Sequence, residues 1–191
     1  MTSILKVDSI QNAAGTASAT IAADGRFIPV KAGSTIQTQY TQFIVPSSAI
    51  ALSANTDTAL SDLAVSITPT STSSKILLQT HVFWEGHMYD HGFIWMFFRD
   101  STVLKAAQAG SRRSGISVGT TNYYAADVSS TPSTAVYQYF DAPLSTSAIT
   151  YKVGVSSLNA GDLYINRSFS ANDGTDYERG ISYISATEIA G

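Results

Sequence analysis

The chain has 191 residues, a formal net charge of −3 and only 13% charged residues, about half the usual share. The acidic balance, with Arg112-Arg113 as the sole basic doublet, excludes the electrostatic footprint of a nucleic-acid binder, and zero cysteines exclude disulfide frameworks, thiolate metal sites and cysteine nucleophiles. The longest apolar run, Phe93 to Phe98, is far short of the roughly 20 residues that span a bilayer, and Met1 to Lys6 lacks the layout of a secretion signal, so no membrane partner is expected.

Residues 1–33 read as an N-terminal attachment segment. Ile4 to Ile10 alternates, Ala and Thr dominate up to Ile21, Ala23-Asp24-Gly25-Arg26 supplies a turn, and Phe27-Ile28-Pro29-Val30 follows. This stretch has too few large apolar side chains for a core of its own. It is therefore expected to dock onto symmetry mates or a larger assembly. Lys31-Ala32-Gly33-Ser34 is the expected hinge into a head domain over 34–191.

In the head, Lys75 to Glu85 places Ile76, Leu78, Thr80, Val82 and Trp84 on one face and Leu77, Gln79, His81 and Phe83 on the other. That period of two predicts a strand with one apolar and one mixed face. Gly92 to Arg99 is apolar on both faces and predicts a strand covered on both sides. Asp100-Ser101 predicts a tight hairpin turn into Thr102-Val103-Leu104. Leu104 to Ala109 has helical composition but is too brief to matter. Ala135 to Phe140, Ile149 to Leu158, Leu163 to Arg167 and Ile181 to Ile189 predict further strands, divided by turn clusters at Asp141-Ala142-Pro143, Asn159-Ala160-Gly161 and Asn172-Asp173-Gly174. Short strands at about ten-residue spacing, with no segment of helical period and length, define an all-β antiparallel sandwich or barrel.

Several constellations invite a chemical reading. His81, Glu85, His87, Asp90 and His91 gather every histidine of the chain within eleven positions. Imidazole and carboxylate suit zinc, nickel or iron, and a trimer axis would bring one histidine from each subunit. The spacing matches no established metal motif, and a partner contact or a plain solvated loop competes with it, so no metal or cofactor is assigned. Gly115-Ile116-Ser117-Val118-Gly119 formally matches a nucleophile elbow, but no helix is predicted after Gly119, so Ser117 reads as a strand or turn residue. Tyr89, Tyr123, Tyr124 and Tyr177 fall in predicted loops, where rings stack on sugar faces; cross-strand pairing is the plainer role for most of the ten tyrosines. Asp57, Asp62, Asp173 and Asp176 lie in loop-like stretches without the spacing of a glycosidase pair. Asn172 to Asp176 lacks the acidic density of a calcium loop, and Asn166-Arg167-Ser168 spells a glycosylation sequon. No catalytic residue is assigned, and an enzyme is not expected.

The opening Ser3 to Gly15, followed by Thr20-Ile21 and Asp24-Gly25-Arg26, closely resembles the start of small, tail-fibre-like virion structural proteins of tailed phages, those of marine cyanophages nearest. Gly33 to Gln37, Pro69 to Leu78 and Ile181 to Ala190 fit the same group, so the resemblance spans essentially the whole chain. It implies a jelly-roll-like, trimeric β-sandwich head joined to an N-terminal segment that attaches to other virion proteins. The implied roles are a tail or head fibre that contacts a host surface glycan or protein, or a capsid decoration protein that stabilises the shell. A glycan-active enzyme on the same fold is the more distant alternative. Independently, the two apolar faces of Phe93 to Phe98, with Phe83 and Tyr89, offer more apolar surface than two thin sheets cover, which favours association about a cyclic axis.

Overall fold

The computed structural model describes residues 7–86, 92–119 and 130–191, and these form β-strands with no helix among them. The N-terminal segment is a three-stranded antiparallel sheet of β1 (Ser9–Gln11), β2 (Ala17–Ile21) and β3 (Phe27–Pro29). The expected turn closes between β2 and β3: Gly25 N–H donates to Ala22 O at 2.8 Å, and the Asp24 carboxylate accepts from Arg26 Nε at 2.6 Å. Gly25 has φ +83°, a conformation that side chains resist. Within this sheet only Ala19 is buried, while Ile10 and Phe27 are exposed, as are the flanking Val7 and Val30. Among its described residues, 7–33, the segment buries no large apolar side chain.

The head is a sandwich of two antiparallel sheets. One carries β4 (Thr35–Phe43), β14 (Ser182–Ile189), β7 (Lys75–Gly86), β13 (Gly161–Ile165) and β5 (Ile50–Leu52) in that order, with β11 (Ser133–Asp141) on the other edge of β7. The other carries β10 (Ser117–Gly119), β8 (Phe93–Arg99), β12 (Ile149–Ser156) and β6 (Thr58–Ile67), with β9 (Thr102–Leu104) also paired to β8. The chain crosses between sheets from β5 to β6, β6 to β7, β7 to β8, β10 to β11, β11 to β12 and β12 to β13. Such crossings let alternate residues of nearly every strand face a common interior.

That interior follows the period of two. On β7, Ile76, Leu78, Thr80, Val82 and Trp84 are buried, and Leu77, Gln79, His81 and Phe83 are more accessible. Trp84 lies 4.7 Å from Phe93 and 5.3 Å from Trp95, centroid to centroid, so three aromatic rings bridge the two sheets. Each such ring buries enough area to contribute several kcal/mol, at about 25 cal/mol per Å². Asp100, at φ +52°, makes the predicted turn between β8 and β9, and its carboxylate accepts from Thr150 N–H at 3.0 Å.

Strand β8 is covered on both faces, and the cover comes from the chain itself. Phe93, Trp95 and Phe97 enter the interior, while Ile94, Met96 and Phe98 form a second cluster with Ala59 and Val103. Gly115 lies against Ile94, and Gly154 leaves room for Phe98, whose ring would come within 2.4 Å of any Cβ there. The apolar excess on Phe93 to Phe98 therefore gives no reason for association, because residues 103–115 and β12 already cover it. Phe83 packs against Gly180, and Tyr89 lies outside the described residues. Asp62, read as a loop residue, lies on β6.

Register fixes the direction of every strand and gives the head two distinct ends. At the base lie Thr35, Lys75, Arg99, Asp141, Ile149 and Ile189, joined by the short connections 68–74 and 100–101 and by 142–148. At the distal end lie Phe43, Thr58, Gly86, Phe93, Ser133 and Ser156. The connections 44–57 and 166–181 emerge there, and 105–116, which leaves and rejoins the edge of β8 opposite Phe97 and Trp95, reaches this end through Lys105 on Asp57 and Arg113 on Gly92 and Ser156. The N-terminal sheet joins at the base, so the N-terminal segment and the connections 44–57 and 166–181 occupy opposite ends.

Candidate functional site

At the base, Glu188 is fully buried on β14 and holds four donors. Its Oε1 accepts from Thr70 N–H, Thr70 Oγ1 and Ser74 Oγ, each at 2.7 Å, and its Oε2 accepts from Gln37 Nε2 at 2.6 Å. Burial pushes its pKa up, but the donors from Gln37, Ser74 and Thr70 outweigh that and hold the carboxyl below the usual glutamate range. Beside it, Gly33 N–H donates to Ala190 O at 2.7 Å and Ala190 N–H donates to Ser34 O at 2.8 Å. The expected hinge at 31–34 is thus tied to the residue after the last strand. Gly33 to Gln37, Pro69 to Leu78 and Ile181 to Ala190, far apart in sequence, meet around this one carboxylate. A cleft of about 320 Å³ separates Thr20, Ile28 and Val30 of the N-terminal segment from Thr70, Ser74 and Ala190 of the head.

The outward face of the six-stranded sheet is the second feature. Its cross-strand rows read Val136, His81, Tyr183, Gln42, then Gln138, Gln79, Ser185, Tyr40, then Phe140, Leu77, Thr187, Thr38. No Lys, Arg, Asp or Glu stands among these residues. Tyr40 is 74% exposed, Val136 64%, Phe140 57% and Tyr183 40%. The His81 ring stacks on Tyr183 at 6.1 Å, and Thr38 and Thr187 share a hydroxyl hydrogen bond at 3.0 Å. The result is a flat, uncharged surface set with large apolar side chains.

The residues singled out from sequence are brought together only in part. Glu85 is buried at the distal end of β7, where Oε1 accepts from Thr131 N–H at 2.6 Å and Thr131 Oγ1 at 3.0 Å, and Oε2 accepts from Phe169 N–H at 2.6 Å. It ties two connections to the strand. His81 stands four residues earlier, about 13 Å at the rise of a strand, with Nδ1 3.2 Å from Ile181 O. His87, Asp90 and His91 lie outside the described residues, as do Tyr123 and Tyr124. Ser117 lies on β10 and not at a strand-to-helix turn. Asn166, in the left-handed region at φ +64°, is fully buried: Nδ2 donates to Phe43 O at 2.7 Å and Val45 O at 3.2 Å, and Oδ1 accepts from Ser182 Oγ at 2.7 Å. The sequon asparagine is a structural clamp. Tyr177 is half-buried, its hydroxyl accepting from Asn172 Nδ2 at 3.1 Å.

Tyr137 and Tyr151 are buried, their hydroxyls donating to Met96 O at 2.8 Å and Asp141 Oδ2 at 2.7 Å. Asp141 also takes Arg99 Nη1 at 3.0 Å on each oxygen. Burial raises the pKa of both phenols, and the Asp141 carboxylate adds to the rise at Tyr151. The three buried carboxylates among the described residues, Glu85, Asp141 and Glu188, each sit in a separate hydrogen-bonded cage. Sequence reading missed two surfaces: the outward face around Val136 and Tyr40, and a distal cleft lined by Lys105, Arg112 and Arg113. The first was legible from uncharged residues at the central alternate positions of four strands, between Lys75 and Glu85 on β7. The second appeared only as a basic doublet. No protein-family model matches the chain, and none of the curated proteins compared with it matches either.

Proposed function

We propose that this chain is a non-enzymatic structural protein of a tailed-phage virion: a short trimeric fibre, anchored by residues 1–33, whose distal connections contact a host surface glycan or protein. The observation that carries the reading is the two-ended layout of the molecule. A small sheet with exposed Val7, Ile10, Phe27 and Val30 joins one end of the head, and the long connections leave the other. Such a sheet gains stability by burying those side chains against another protein.

Three-fold association uses the outward face of the six-stranded sheet. Close to a three-fold axis each residue meets its own symmetry copies, so charged groups there repel; the twelve central positions of this face, between Lys75 toward the base and Glu85 toward the distal end, carry no Lys, Arg, Asp or Glu and avoid that. Exposed aromatic and branched residues amid uncharged polar ones match the composition of interface cores. The non-enzymatic reading draws on the buried carboxylates, each saturated by structural donors and none paired across a groove.

Removing residues 1–30 tests the anchor. The Gly33 and Ser34 bonds to Ala190 survive that truncation. The expected outcome is a folded head with wild-type thermal unfolding that is missing from assembled particles when virions are imaged with a labelled antibody. Unaltered incorporation overturns the anchor assignment.

A further inference from the structure

We propose that the distal cleft beside β8 binds an oxyanion carried on a single sugar ring, a carboxylate or a sulfate. The proposal rests on the reading that the distal end faces the host, and it names the chemistry that this end selects. The cleft has a volume of about 260 Å³ and is lined by Lys105, Arg112 and Arg113 together with Asp57, Asn55 and Ile94. That volume falls below the usual range of about 300–1,000 Å³ for drug-sized ligands and suits one ring.

The charges in the cleft do not cancel. Lys105 is neutralised by Asp57, Nζ to Oδ2 at 2.5 Å. Arg113 spends its Nη1 and Nη2 donors on neutral acceptors, Gly92 O at 2.7 Å and Ser156 O at 2.8 Å, and its Nε is buried without an acceptor among the described residues. Arg112 is exposed, and none of the ion pairs among the described residues includes it. Beyond the Lys105–Asp57 pair, two guanidinium groups therefore line the cleft with no further carboxylate among the described residues of its lining, in a chain whose net charge is −3. A desolvated guanidinium favours an anion beside it, and its planar fork matches carboxylate and sulfate oxygens.

The segment that presents these residues is pre-shaped. Gln108 Nε2 donates to Gly110 O at 2.9 Å and Arg112 O at 2.5 Å, and Gln108 Oε1 accepts from Ser114 Oγ at 3.3 Å. Gly110 takes the turn at φ +61°. Binding thus orders little new chain, which reduces its entropic cost.

The test titrates the full chain with glucuronate, glucose 6-sulfate, glucose and inorganic sulfate, followed by ligand-observed saturation transfer. Glucuronate or glucose 6-sulfate is expected to bind with a Kd in the millimolar range, at least tenfold tighter than glucose, and to weaken as salt rises from about 50 to about 300 mM. Arg112→Gln, on an exposed turn, is expected to weaken binding about tenfold. Asp57→Asn releases Lys105 to the cleft and is expected to tighten it several-fold. Glucose binding as well as the acidic sugars, inorganic sulfate binding as tightly as either, or wild-type affinity in both variants overturns the proposal. Phages carrying Arg112→Gln separate the two levels of argument: loss of sugar binding with unchanged adsorption to cells keeps the cleft assignment and overturns the adhesive reading.

Discussion

Glu188→Ala is expected to lower the unfolding free energy of the head by about 3–5 kcal/mol, measured by chemical denaturation at neutral pH. The carboxylate is fully buried and accepts from Thr70 N–H, Thr70 Oγ1, Ser74 Oγ and Gln37 Nε2. Gln37 Nε2 keeps a second acceptor, Thr68 O at 2.7 Å, so truncation strands mainly the Thr70 and Ser74 donors. Two or three buried donors at roughly 1–3 kcal/mol each give the expected loss. Glu188→Gln keeps an acceptor for Thr70 and Ser74 but sets an amide donor against Gln37, and is expected to cost about 1–2 kcal/mol.

The pH dependence has a defined sign. The folded-state pKa of Glu188 is depressed, so the unfolded chain binds the proton more readily. Its contribution to stability is present above the unfolded glutamate pKa and is lost as pH falls through the lower, folded value. Glu188→Gln is expected to flatten that part of the stability profile. A profile and a stability equal to wild type in both variants would sink the idea that this carboxylate fastens the base.

The sandwich was legible where apolar residues alternate over long strands. Lys75 to Gly86 shows its two faces without ambiguity, and the Asp100-Ser101 turn follows from the polar break after Arg99. Strands β4, β5, β6 and β10 were not. Thr35–Phe43 is mostly Thr and Gln and carries little apolar signal, because the outward face it contributes is uncharged and polar. Ser117–Gly119 is too short to show a period and is held by pairing to β8, a contact remote in sequence. Functional geometry was less legible for the same reason. Glu188 sits between Thr187 and Ile189 with nothing local to mark it, and its partners come 114 to 151 positions earlier. Glu85, grouped by proximity with histidines, answers instead to backbone donors from Thr131 and Phe169. Spacing reports what a strand presents locally; it is silent on which connections fold back over it.

If the head associates as the proposed trimer, Val136→Asp is expected to shift it to monomers while leaving the head folded. Val136 stands on β11 opposite His81, in the row that continues through Tyr183 to Gln42, and is 64% exposed in the single chain. An aspartate there is solvated in the monomer, so folding should change by less than about 1 kcal/mol. In an interface built on this face the same side chain is desolvated, and each unpaired buried carboxylate costs several kcal/mol. At about 1.4 kcal/mol per tenfold, that raises the dissociation constant by a factor of about 100 or more. Analytical ultracentrifugation at micromolar concentration reads the outcome directly: three times 20.3 kDa for the wild type and 20.3 kDa for the variant, with unchanged far-ultraviolet circular dichroism. A control, Asp62→Asn on β6 of the opposite sheet, should leave the trimer intact. A wild type that sediments as a monomer would remove the three-fold reading, and a Val136→Asp protein that stays trimeric would move the interface to another face.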